Sequence, residues 1–497
     1  MKKIKRFAAI LLAFAVVLGF AGCGKQTDTS AGGYEDNDEF YTIEWYMLFP
    51  DVLQKDVAPV EAKLNEYLKD KINAEVHMNV FDWSTYSERL NLMMQSSEKI
   101  DLCWTSGTEY YNTVAKKGFI ELDDLMAKYA PKLLETIDPN ILNGSKVNGK
   151  MYAVPANKEA ASALGVIYRK DITDKLGINM EDCKTAQDVM EVCKKVHEAY
   201  PDMFMTDTNT PSSPVDWLTM DFDTAYLGYG KWLDSGDNKL INMYETQEYQ
   251  DACQYAYDLR QIKGFYPTGA GKTTRELMEA GQQFCIVSGV KPGKADEYNI
   301  LFNNPNIKYS EVILSQPVTR TSECTGSMMA IPLKCENPAR TLKFLELLNT
   351  DEYVNNLINF GIEGEGYTKN ADGTVHVIKD AGYKCNGNQW MIGNVFINYI
   401  TDEEDPQKNK NFMEFNQQAK ASDMLGFAFD VDPVKNEAIA VSNVIKEYND
   451  QLKTGSVTLA QNYDVFIDKM KKAGSDTVLA EVQKQYDQWC AGNKSEE

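Results

Sequence analysis

From position 40 onward, apolar residues along the chain switch repeatedly between a period of two and a period near 3.6. Thr42–Phe49 (TIEWYMLF) is rich in β-formers and predicts a strand. Val57, Val60, Leu64, Tyr67 and Leu68 then recur at helical spacing and predict an amphipathic helix. Ala74–Phe81 (AEVHMNVF) alternates as a strand, Ser84–Ser97 reads as a helix, and Ile100–Trp104 (IDLCW) is a short buried strand. Strand, helix, strand, helix, strand in this order predicts parallel pairing with helices on the faces. Ligands of such sheets sit beyond the carboxyl ends of the strands, which here are Tyr46–Pro50, Asp82-Trp83 and Trp104–Gly107. A second unit of this kind is predicted from the strand Leu164–Tyr168 and the helix Thr185–Tyr200, where Thr185 and Asp188 give a capping-box start. Thr206–Asp216 (TDTNTPSSPVD) loses apolar periodicity and reads as a loop. Helices follow at Thr246–Lys263 and Thr273–Gln283, then a strand at Phe284–Ser288. The chain end is helical over Pro433–Lys453, Thr458–Ala473 and Ser475–Cys490, and no internal repeat is visible.

The first residues follow a different rule. Met1–Arg6 carries four basic side chains, and Phe7–Gly22 then runs without a charge, as in a secretory signal. That apolar run is shorter than the roughly 20 residues of a spanning helix. Leu18-Gly19-Phe20-Ala21-Gly22-Cys23 resembles a bacterial lipoprotein box, which implies acylation of Cys23 as the new N-terminus. Residues 24–39 (GKQTDTSAGGYEDNDE) read as a polar tether with nothing to bury, so folding is expected to begin near Phe40.

Composition narrows the classes. Of 497 residues, 43% are hydrophobic and 25% charged, which excludes a disordered, fibrous or multi-spanning chain and suits two or three domains. Removal of the signal takes the count from 51 Lys+Arg to 47, against 73 Asp+Glu, for a net charge of −26. Such a surface repels phosphate backbones and anionic lipid, leaving no nucleic-acid partner and a membrane attachment only through the anchor.

The cysteines and histidines offer no catalytic or metal pattern. Nine cysteines remain after Cys23, none in a CxxC pair; Cys183/Cys193 and Cys324/Cys335 are spaced so that a bridge is open but undecided. His77, His197 and His376 are far apart, so neither a metal site nor a cofactor is expected. Gly269-Ala-Gly-Lys-Thr-Thr274 imitates a phosphate loop, but Tyr266 stands where the pattern needs glycine, and the segment reads instead as a capped helix start. Acidic pairs such as Asp221/Asp223 and Glu363/Glu365 lie in no recognisable hydrolase motif, and the chain is read as not an enzyme.

Two stretches carry a family resemblance. Asn148–Pro155 (NGKMYAVP) followed by Val166–Ile172 (VIYRKDI) looks like the lobe crossover of extracellular solute-binding proteins of the maltose-binding type. Met328–Pro332 (MMAIP), Pro338–Leu348 and Thr350–Phe360 resemble the segment returning to the first lobe. Gly361–Tyr367 (GIEGEGY) and Leu425–Asp430 (LGFAFD) are similar to the lipid-anchored oligosaccharide-binding subgroup with a C-terminal domain of unknown function. The resemblance implies an α/β, two-lobed periplasmic-binding-protein-like clamp with a helical C-terminal part. Lobe one takes 40–154 plus 325–363, lobe two takes 155–316 plus 364–497, and two or three segments are expected to cross between them, near Tyr152–Pro155, Gln316–Thr325 and Glu363–Tyr367. It also implies a monomer on the extracytoplasmic face of the membrane that hands a solute to ABC transporter permease subunits.

Sugar rings pair apolar faces with hydroxyl edges, so their sites need flat aromatics beside fixed polar groups. The chain holds 7 Trp, 27 Tyr and 20 Phe. Trp45 or Tyr46, Trp83, Trp104 and Ser106 at strand ends are the lobe-one candidates. Trp217, Tyr226, Tyr229 and Trp232 come from the middle, and Tyr367 and Trp390 from near the third crossing. Asp82, Glu363, Asn388 and Asn394 are the candidate hydroxyl partners. The expected ligand is an oligosaccharide; alternatives are a peptide or other small polar solute, or a cell-surface glycoside hydrolase.

Overall fold

The computed structural model describes residues 34–50, 52–206, 212–266, 272–302, 304–383 and 388–493. The signal 1–22, Cys23, Cys385 and all of Gly269–Gly271 lie outside them. Five strands organise the first half: β1 (Tyr41–Leu48), β2 (Ala74–Phe81), β3 (Leu102–Thr105), β4 (Ala153–Pro155) and β5 (Ala163–Arg169). β1 pairs in parallel with both β2 and β3, and the late strand Met328–Ala330 inserts antiparallel between β3 and β4. Helix α1 (Gln54–Ile72) buries Val57, Val60, Leu64 and Leu68, the stripe its spacing predicts. Helices α2 (Tyr86–Gln95) and α3 (Gly107–Ala115) follow β2 and β3. Strand alternation sends Trp45 to the core, edge-on to Phe344, and turns Tyr46 to the opposite face onto Phe81.

A second sheet places β5 between the strands Cys285–Val290 and Tyr309–Ile313, antiparallel to both. The strand-then-helix order alone suggested another parallel unit. The connection from β5 to Cys285 is long enough to reverse direction, and burial periodicity fixes a strand's face, not its neighbour's sense. The helix Ala186–Ala199 covers this sheet, opened by the reciprocal Thr185–Asp188 capping box. The expected loop at 206–216 contains a short helix, Pro214–Leu218, started by a second box between Ser213 and Asp216. The three C-terminal helices, Lys435–Lys453, Leu459–Lys472 and Ser475–Asn493, share one core with residues 215–253, so they extend the second lobe.

Among the described residues, the burial pattern departs from two of the expected lobe boundaries. Tyr383, Met391 and Ile392 lie in the first-lobe core, and the hairpin 367–377 packs on Phe360 at the end of the helix Glu352–Phe360. The third crossing therefore starts after Ile392, not at Gly364, because apolar side chains that late are buried in lobe one. At the other end, the chain is already placed before Phe40. Asp36, 6% exposed at its side chain, receives Arg340 and Lys343 at 2.6 Å each, and Tyr34 packs against the lobe-one core. Arg340 also donates to the carbonyls of Glu39, Ile72 and Asn73, so an acid in a segment read as tether is the partner of a buried cation.

Candidate functional site

The turn leaving β2 is built by Asp82. Its Oδ1 accepts from the Ser84 and Thr85 backbone amides and both hydroxyls at 2.6–3.1 Å, which sets the entry to α2 and lowers the carboxyl's pKa. That turn leaves Trp83 56% exposed, with its ring against Trp104 at 5.8 Å and 87°. Trp104, 4% exposed at the end of β3, is fixed from two sides. Tyr86 donates to its carbonyl at 2.6 Å, and its own indole N–H donates to Ser327 Oγ at 2.8 Å. Ser327 in turn donates to the Met391 carbonyl at 2.9 Å, tying the second crossing to the half-buried Trp390 turn. Behind Trp104, ring contacts run through Tyr86 and Phe81 to Tyr46. These rings form an aromatic floor at the carboxyl ends of three parallel strands, open to solvent through Trp83.

Polar groups border this floor. Ser106 precedes α3 without capping it, and the next amide, Gly107 N–H, donates to the Thr325 carbonyl of the second crossing at 2.9 Å. Glu109, in the first turn of α3, is half-buried, and burial raises its carboxyl pKa against a lowering hydrogen bond from Ser87. Tyr86, Glu109 and Ser327 were absent from the sequence candidates. A tyrosine at helical spacing reads as core, an acid in a first turn reads as a dipole partner, and a lone serine carries no signal.

A charged cluster braces the crossings. Lys291 Nζ lies 2.8 Å from Glu159 on the first crossing and 3.1 Å from Glu297 on the helix Lys294–Phe302. It also sits 4.9 Å from the ring centre of Phe412, on the third crossing's helix Lys408–Gln418. Burial works to raise the Glu159 carboxyl, but Lys158 and Lys291 outweigh it and hold the pKa at about 2. Asn416 clasps the same crossing, accepting from the Ala160 amide and donating to the Lys158 carbonyl.

The remaining candidates lie elsewhere. Trp217 is buried in the second-lobe core, edge-on to Tyr255. Trp232 packs edge-on to Phe222, Tyr226 against Phe429, and Tyr229 is buried with its hydroxyl on Ser475. Tyr367 is buried between Phe360 and Tyr399, and Glu363 pairs with Lys369 at 3.3 Å. Asn394 is buried, donating to the Asn349 carbonyl and accepting from the Phe396 amide, while Asn388 only opens the Gln389–Met391 turn. A loop tryptophan such as Trp217 can fold back into a core, which loop position alone does not reveal. Of the acidic pairs, Asp223 is buried against Ser422 with Arg320 at 4.0 Å, and Glu363 is engaged by Lys369. Thr273 caps the helix Thr274–Glu279 through a reciprocal box with Glu276. Among the described residues, no group of three or more His, Cys, Asp or Glu is arranged to hold a metal ion.

Comparison with known proteins agrees with this architecture. The model of the bacterial extracellular solute-binding protein family matches residues 62–377, and a domain of unknown function (DUF3502) matches 423–491. The chain is 26% identical over 506 residues to a carbohydrate ABC transporter substrate-binding protein of Streptococcus pneumoniae serotype 4, covering 99% of this chain and 100% of that one. It is 24% identical to the lipoprotein LipO of Bacillus subtilis over 385 residues, 73% of each. Its fold is similar to the crystal structure of the N-glycan transport solute binding protein NgtS from Streptococcus pneumoniae, with TM-score 0.80 and 22% identity over 90% of this chain and 98% of that one. The same protein in complex with Man5GlcNAc gives 0.68 at 23% identity over the same shares. With the chain from within α1 to the hairpin 367–377, second-lobe sheet included, inside the matched span, the chain belongs to the bacterial extracellular solute-binding proteins.

Proposed function

We propose that this chain is the lipid-anchored substrate-binding component of an ABC importer and that it captures an oligosaccharide between its lobes. The observation that carries the reading is the floor of Trp83 and Trp104 at the strand ends, with a large indole surface open beside the crossings. Such a surface offers a sugar ring its apolar face, while Asp82, Ser106 and Glu109 stand at the edge for hydroxyls. Relatives named for carbohydrate transport and for N-glycan complexes support the substrate class, and LipO supports acylation at Cys23. Ligand bound between the lobes stabilises a closed form, and that form docks on the permease while a separate subunit hydrolyses ATP. No covalent step is assigned to the chain.

The test follows thermal melting against oligosaccharides, monosaccharides and peptides, with mass spectrometry of the recovered ligand. A ligand that binds only the native state raises Tm by mass action. A shift confined to one glycan class, with intact glycan recovered, is the expected result. A shift with peptides alone overturns the substrate class, and recovery of shortened glycan overturns the assignment as a binding protein.

A further inference from the structure

The second-lobe core gathers three cysteines: Cys183 ahead of the helix Ala186–Ala199, Cys193 on that helix, and Cys285 at the start of the strand beneath it. Cys193 Sγ and Cys285 Sγ lie 3.5 Å apart, although 92 positions separate them in sequence. Both residues are fully buried. Other thiols have different neighbours: Cys103 donates to the Ala330 carbonyl, Cys324 to the Asn140 carbonyl, and Cys335 faces the Thr341 hydroxyl. A disulfide has its sulfurs about 2.05 Å apart, so the 193–285 gap closes by a shift of roughly 1.5 Å shared by two side chains. The two bridges open to the sequence, Cys183/Cys193 and Cys324/Cys335, are not the pair that the fold brings together.

We propose that Cys193 and Cys285 are a latent disulfide site, oxidised by exchange with a small-molecule disulfide as the second lobe folds outside the cell. One protein thiolate attacks a sulfur of the small disulfide, forming a mixed disulfide and releasing one small thiolate. The second protein thiolate displaces the other, so two protein thiols are oxidised, one disulfide is reduced to two thiols, and the two cysteine protons are transferred to the thiolates released. Extracellular proteins of this family work where such disulfides persist. Burial pushes the Cys193 thiol well above its usual range, so the packed lobe resists the same exchange and the bond forms before the core closes. Once formed, the bond ties helix to sheet across a long loop and raises the Tm by several degrees.

The test takes the full chain, unfolded with reductant and refolded in mixed reduced and oxidised glutathione, then alkylated and digested with trypsin. Lys184 separates Cys183 from Cys193, so the two fall in different peptides. The expected result is a cross-link between peptides 185–194 and 276–294 with a higher Tm, both absent in Cys285→Ala. Every thiol recovered alkylated, or Cys183 found in the cross-link, overturns the proposal.

Discussion

Replacing Trp83 by alanine separates binding from stability. An indole presents on the order of 200 Å². At 56% exposure, roughly 110 Å² of that area is open on Trp83. Covering all of it at about 25 cal/mol per Å² is worth roughly 3 kcal/mol, and covering one face about half of that. Trp83→Ala is therefore expected to weaken glycan binding by about 10- to 100-fold. The free protein loses only the edge contact with Trp104, worth about 1 kcal/mol. Titration calorimetry with a glycan that shifts the wild-type Tm gives the first number, and urea unfolding gives the second. An unchanged Kd for that glycan refutes the placement of the cleft at the carboxyl ends of β2 and β3. Loss of binding together with a collapse in stability refutes the division of roles between Trp83, facing outward, and Trp104, facing inward.

Other outcomes follow from the crossings and the lobe-one base. A glutamate in an unfolded chain titrates near 4.3, whereas Glu159 is held at about 2. Its stabilising contribution is thus present above about pH 4.3 and lost as pH falls toward 2, on the order of 3 kcal/mol in all. Acid unfolding of Lys291→Met is expected to show a flatter limb in that window, and an identical limb counts against the pairing. Arg340→Met leaves Asp36 buried with Lys343 as its remaining cationic partner, and urea titration is expected to show a loss of about 3 kcal/mol. At Gly366 an added Cβ would sit 2.1 Å from the Phe360 carbonyl oxygen, so Gly366→Ala should lower unfolding free energy by about 2 kcal/mol or more in the same assay.

The first lobe was readable because each element shows its period without help from distant residues. The stripe Val57, Val60, Leu64, Leu68 and the alternation of β2 name their buried faces directly. The strand Met328–Ala330 is invisible to this logic as a sheet partner, since three apolar residues carry no period and their insertion between β3 and β4 is a long-range event. The same holds for Tyr383, Met391 and Ile392, whose return to the first-lobe core moves the third boundary. Within the site, Trp83 and Trp104 stood out because they end strands. Ser327 matters only because the chain brings it back 223 positions later to accept the Trp104 indole N–H.

The clasp of Arg340 on Asp36 joins the chain's N-terminal segment to lobe one, which matters for the proposed anchor. Ten residues separate Cys23 from Tyr34, a reach of no more than about 40 Å even fully extended. With Cys23 acylated as proposed, lobe one is the stator, gripped at its base and confined to a thin layer above the bilayer. In the capture cycle proposed above, lobe two with its C-terminal helices would then carry the displacement. With that proposed anchor, release of cargo would not release the carrier, because the emptied protein would stay within reach of the same surface. A weak and short-lived contact with the permease is then sufficient, since local confinement replaces affinity.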